Sequence, residues 1–92
     1  MTRSSDEERA RFRGRHPEWT MEGEEIRRTF RFADFREAMG FVTEVALAAE
    51  AADHHPDIDV RWNTVTLTLS THSAGALTDK DLALAAEIDG LA

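Results

Sequence analysis

Pro56 closes the longest periodic stretch of the chain, and the patterns on either side of it fix the fold class. Before it, Phe35, Ala38, Met39, Val42, Val45, Ala49 and Ala52 recur at three- and four-residue steps. That is the apolar stripe of a core helix about five turns long. Asp34 followed by Glu37 has the form of a capping box that opens it, and the ring of Pro56 prevents it from running on. Beyond the proline the period changes to two: Val65, Leu67 and Leu69 alternate with Thr64, Thr66, Thr68 and Ser70. With Ile58 to Trp62 as a preceding strand and Asn63-Thr64 as a tight turn, this reads as a hairpin rich in β-formers.

A second hairpin is expected upstream of the helix. Trp19 to Glu22 reads as a short strand, Glu22-Gly23-Glu24 as a turn, and Ile26 to Phe32 as a strand with Ile26, Phe30 and Phe32 on one face. Arg28 falls on that apolar face and is expected at a sheet edge, its stem packed and its head in water. Thr78 with Asp81 opens a last helix, whose Leu82, Leu84, Ala85, Ala86, Ile88 and Leu91 give it apolar surface on more than one side. The order β-β-α-β-β-α predicts an α+β fold, a four-stranded antiparallel sheet with helices packed on one face.

Charge is unevenly placed. Of the net charge of -7, residues 1–31 contribute +1 and residues 32–92 contribute -8. A body this acidic repels phosphate backbones, which argues against nucleic acid as a partner. Residues 1–16, with Arg9, Arg11, Arg13 and Arg15 and few apolar positions, are expected to form a charged, mobile arm, and residues 17–92 the folded domain. Ala10 and Phe12 are the residues there that would dock a helical turn, and His16 is expected to be inert. No stretch is apolar for long enough to span a bilayer, and the charged N-terminal stretch lacks the apolar core of a signal peptide. With no cysteine, a cytoplasmic location fits. At 92 residues, a chain with an apolar last helix and exposed sheet edges leaves surface for a second copy to cover.

The candidate chemistry sits where the core helix stops. Glu50 is followed four and five positions later by His54 and His55, and His72 ends the strand-like run that begins at Val65. Imidazoles titrate near neutral pH, which suits them to proton transfer. If the alternation persists, His72 lies on the threonine side and outside the core. The plain alternatives are that Asp81 only caps its helix, Glu50 is a solvated helix residue, Trp62 is a packing aromatic, and Pro56 is structural. A three-histidine metal site is disfavoured, because adjacent residues in an extended segment point to opposite faces.

Taken in order, Glu50-x-x-x-His54-His55-Pro56, Trp62, Ser70-Thr71-His72, Gly75, Leu77-Thr78 and Asp81 resemble the pterin-4a-carbinolamine dehydratase family. The likeness runs from about Trp19 to the C-terminus and includes Phe30-x-Phe32-x-Asp34-Phe35-x-x-Ala38. The charged N-terminal segment departs from the family's apolar-striped helix, and Ala76 and Ile58 stand where glycine and an aromatic are usual. The resemblance implies dehydration of a 4a-hydroxytetrahydropterin to the quinonoid dihydropterin, with no metal or other cofactor, in homodimers or homotetramers. It also implies catalytic His54, His55 and His72, with His55 as general acid, and substrate contacts from Glu50, Pro56, Trp62 and Asp81. A non-enzymatic dimerisation or assembly role on the same fold is the alternative; members with that role are expected to lose the histidines retained in this chain.

Overall fold

The computed structural model describes residues 2–92. Its elements are α1 (Asp6–Arg15), β1 (Thr20–Glu22), β2 (Glu25–Arg31), α2 (Phe35–Ala52), β3 (Asp57–Arg61), β4 (Thr64–Leu69), a 3-10 turn (His72–Ala74) and α3 (Asp79–Asp89). The four strands form one antiparallel sheet in the order β1-β2-β4-β3. The predicted α+β architecture is the observed one.

Alternation along the strands divides the sheet into two faces. Ile26 and Phe30 of β2 and Val65, Leu67 and Leu69 of β4 point inward and are buried, while Arg27, Thr29 and Arg31 with Thr64, Thr66 and Thr68 point outward. Ala38, Phe41, Val45, Ala48 and Ala49 of α2 and Leu84, Ala85 and Ile88 of α3 complete the core. Fully burying one such aliphatic side chain contributes roughly 1.5 to 3 kcal/mol.

The buried face of α2 is rotated from the predicted stripe. Phe41 turns inward, its ring 4.7 Å from that of Phe30 and 5.1 Å from that of Phe32. Phe35 and Met39, expected in the core, are exposed. Together with the exposed Leu47 they lie at four- and eight-residue spacings on the outer side of α2. The helix opens as expected at Asp34, whose Oδ1 accepts from the Glu37 amide at 2.9 Å, while Glu37 Oε1 reaches past the cap to accept from the Ala33 amide.

The expectation of a mobile arm over residues 1–16 is corrected. Ser5 and Glu8 form a capping box that starts α1, and the sequence from Asp6 to Arg15 is helical. Phe12 and Arg9 are buried. The helix lacks a conventional apolar stripe because its inner face is one aromatic and one arginine. Carbonyls and a carboxylate receive that guanidinium and offset the cost of burying its charge.

His16 and Arg28 also differ from expectation, and one carboxylate accounts for both. Asp89 at the end of α3 accepts from Arg28 Nη1 (2.7 Å), Trp19 Nε1 (2.9 Å) and His16 Nδ1 (2.6 Å). Arg28 therefore lies on a central strand with its head paired rather than in water, its Cζ 4.3 Å from the centre of the Phe30 ring. Among the described residues no helix is long and apolar enough to cross a membrane.

Candidate active site

The end of α2 places the histidine pair. Asp53 adopts a left-handed conformation (φ 50°), its amide donates to the Glu50 carbonyl, and the His54 amide donates to the Ala49 carbonyl at 3.1 Å. This is a Schellman ending with aspartate in the position that usually calls for glycine; the short polar side chain of aspartate makes that conformation accessible. The chain reverses there, Pro56 keeps it extended, and His54 and His55 leave the helix on different sides.

His54 turns inward and its side chain is only 11% exposed. Its Nε2 donates to Oδ1 of Asp81 at 2.5 Å, and Asp81 is fully buried. With Nε2 turned to the carboxylate, Nδ1 is the ring nitrogen left for a ligand. The other oxygen of Asp81 accepts from Thr71 Oγ1 (2.8 Å) and from the Thr78 amide (2.9 Å). Asp81 thus closes the capping box of α3 and holds an imidazole at the same time.

His55 turns outward. Its Nε2 donates to Glu50 Oε1 at 2.7 Å, and both side chains are more than half exposed. A contact this exposed contributes little stability, so its consequence is orientation of the ring. His72 opens the 3-10 turn after β4 and is exposed; its carbonyl accepts from the Gly75 amide, while its ring makes no hydrogen bond among the described residues. It lies outside the core as expected, although β4 ends at Leu69 and the alternation does not reach it.

His54, His55 and His72 line one open recess of about 300 Å³ with Asp53, Ser70, Thr71 and Ser73. A larger hollow of about 630 Å³ lies on the outer sheet face, between Arg27, Asp57, Arg61 and the β4 threonines. It contains no histidine. The smaller recess is the candidate site because three proton carriers converge there.

Of the remaining residues expected at the site, Glu50 and Asp81 stand behind the histidine pair and Pro56 follows it without lining the recess. Trp62 is elsewhere. It sits in the β3–β4 loop, 67% exposed and at φ 52°, with about 13 Å of strand between it and the histidine end of the hairpin. The hairpin loop is Trp62-Asn63 rather than Asn63-Thr64, because Thr64 already pairs with Arg61 across the strands; Asn63 bonds in both directions with Phe32. Within one chain Trp62 does not contact the recess.

Thr71 was not anticipated. Its signal was available: it continues the inward parity of Val65, Leu67 and Leu69, and a hydroxyl at a core position needs a buried partner. Among the described residues no three histidine or acidic side chains are grouped to hold a metal ion.

A sequence model of the family described as Pterin 4 alpha carbinolamine dehydratase matches residues 2–91. The chain belongs to that family. A Chloroflexus aurantiacus protein named "Putative pterin-4-alpha-carbinolamine dehydratase" is 57% identical over 89 residues, covering 97% of this chain and 96% of its own. A Nocardia farcinica protein of the same name is 59% identical over 76 residues, covering 83% and 80%. The crystal structure of a transcriptional coactivator/pterin dehydratase from Brucella melitensis superposes with a TM-score of 0.92 at 34% identity, covering 99% of both chains. A pterin dehydratase-like protein described as a RuBisCO assembly factor in the alpha-carboxysome shares the fold at 23% identity, with a TM-score of 0.66 over 79% of this chain and 84% of its own.

Proposed function

We propose that this protein dehydrates a 4a-hydroxytetrahydropterin to the quinonoid dihydropterin by histidine acid/base catalysis, in the recycling of a tetrahydrobiopterin-type cofactor. The observation that carries the reading is the convergence of three imidazoles on one recess, two of them hydrogen-bonded to a carboxylate.

The reaction needs only proton traffic. The C4a–O bond breaks, the hydroxyl leaves as water after taking a proton, and a ring nitrogen gives one up. Electron density from the ring nitrogen supplies the push, and no atom is reduced or oxidised overall. His55, the exposed member of the pair, is assigned as the general acid, with Glu50 orienting its ring. His54 and His72 bind the pterin and carry the second proton. Asp81 acts through His54, as a positioning residue. No step calls for a metal ion or further cofactor.

The exposed Phe35, Met39 and Leu47 stripe on α2 supports a homodimer or homotetramer as the working form. Recycling of a soluble pterin places the protein in the cytoplasm. The decisive experiment generates the 4a-hydroxypterin enzymatically and follows its disappearance with and without the purified protein. Catalytic amounts should accelerate the loss of water. No acceleration by the folded, purified chain would leave a binding or assembly role as the better account.

A further inference from the structure

We propose that Arg9 and Glu24 are positioning residues of the histidine recess, although they precede His54 by 45 and 30 residues along the chain. Glu24 lies in the β1–β2 turn, beside Gly23, whose φ of 57° suits glycine. From there it holds both ends of the segment that carries His72. The Glu24 carbonyl accepts from Ser70 Oγ at 2.8 Å, and its Oε1 accepts from the Leu77 amide at 3.1 Å. Between those anchors the loop closes on itself through the Thr71 and Ala76 backbones (3.0 and 3.3 Å).

Arg9 locks the carboxylate in place. All five of its N–H hydrogens are accounted for: Nε to the Ser4 carbonyl, Nη1 to the Gly23 carbonyl and Glu24 Oε2, Nη2 to Glu24 Oε1 and the Leu77 carbonyl. The Ser4 amide also donates to Leu77 at 2.8 Å. Leu77 is thereby fixed through both its amide and its carbonyl. The next residue, Thr78, gives its amide to Asp81, which holds His54. One buried guanidinium thus braces the loop of His72 on one side and, through Leu77 and Thr78, the Asp81 carboxylate that holds His54 on the other. Lysine has no planar fork with which to replace it.

The part of this inference that concerns turnover rests on the dehydratase reading; the part that concerns geometry does not. The test therefore uses two readouts on Glu24→Gln and the milder Arg9→Lys, with Arg28→Met as a control that breaks the separate Asp89 cluster. The first readout, at a temperature well below melting, is the imidazole NMR signals of His54 and His72 together with hydrogen exchange of the Leu77 amide. The second is kcat and KM. Both brace variants should shift or broaden the two ring signals, speed Leu77 exchange, and lower kcat about ten- to a hundredfold by misplacing the site. Arg28→Met should lower Tm and leave ring signals and kcat as in the parent. The proposal is overturned if the brace variants keep parental ring signals and exchange, or if Arg28→Met disturbs them equally. A parent without dehydratase activity would overturn the functional reading alone, since the ring signals report the site without turnover.

Discussion

His54 and Asp81 are joined by a 2.5 Å hydrogen bond between a helix-terminating imidazole and a fully buried carboxylate on the next helix. This ties the C-terminus of α2 to the N-terminus of α3, so the step that positions the chemistry also fastens the fold. His55, its sequence neighbour, is bonded to an exposed glutamate and fastens nothing. The two histidines should therefore respond differently to mutation.

Asp81→Ala leaves His54, Thr71 and the Thr78 amide without their shared acceptor. Removing one partner from a buried charged cluster should lower unfolding free energy by about 3 kcal/mol. Urea denaturation at neutral pH checks this. A change below about 1 kcal/mol, the range of surface pairs, would show that the bond is geometrically present but energetically idle.

His55→Ala should lower dehydratase turnover by a factor of roughly 100 to 10,000, the range for loss of a general acid, while stability changes little. Val65→Ala, at a fully buried position, should do the reverse, with a stability loss on the order of 1 to 3 kcal/mol. Val42→Ala should fall below it, because Val42 is only partly buried. Melting and turnover measured on the same samples separate the two effects. Normal turnover by the folded fraction of His55→Ala would remove His55 from the mechanism.

Arg9 holds the Glu24 carboxyl at a pKa of about 2, below the ordinary 4.5, helped by the Leu77 amide and Arg3. A carboxyl whose folded pKa is depressed stabilises the fold above its unfolded value and loses that contribution as pH falls toward the folded value. Stability should accordingly decline between about pH 5 and pH 2, and Glu24→Gln should flatten this decline while lowering stability at neutral pH. Denaturation midpoints across that range provide the check. An unchanged acid slope in the variant would mean that other carboxylates carry it.

Phe35, Met39 and Leu47 are exposed on α2, and the proposed oligomer would cover them with a second copy. Light scattering should find an oligomer at micromolar concentration. Leu47→Glu, which introduces charge at a position 64% exposed, should shift it toward monomer without unfolding the chain. A parent that is monomeric at high micromolar concentration would sink this reading.

The fold was legible in the sequence wherever one period ruled. Leu67 and Leu69 among threonines announced a half-buried strand, and Pro56 announced the end of the core helix. Asp81 was visible as a cap and Glu50 as a neighbour of the pair, since both signals are local. What periodicity missed were contacts made by single polar groups across long separations. Arg28 looked misplaced because its partner, Asp89, is 61 residues away. Trp62, close to the histidines along the motif, stands apart from their recess within one chain, because the β3–β4 loop that carries it lies at the other end of the hairpin. Arg9 gave no signal at all. A charged residue in a charged run becomes a core residue only when the carbonyls of Ser4, Gly23 and Leu77 are brought around it.

The charged N-terminal segment should therefore matter to stability. Deleting residues 1–14 removes Phe12 from the core and strips Glu24 and Leu77 of the arginine that joins them. Losing a buried aromatic alone costs about 3 kcal/mol or more, which for a domain of this size corresponds to a fall in Tm of more than about 10 °C. Phe12→Ala in the full chain should reproduce much of that loss, and Arg11→Ala, whose guanidinium bonds the exposed Glu7, should leave Tm nearly unchanged. If the truncated protein melts with the parent, α1 is held too loosely to support the sheet, and the segment behaves as the mobile arm its composition suggested.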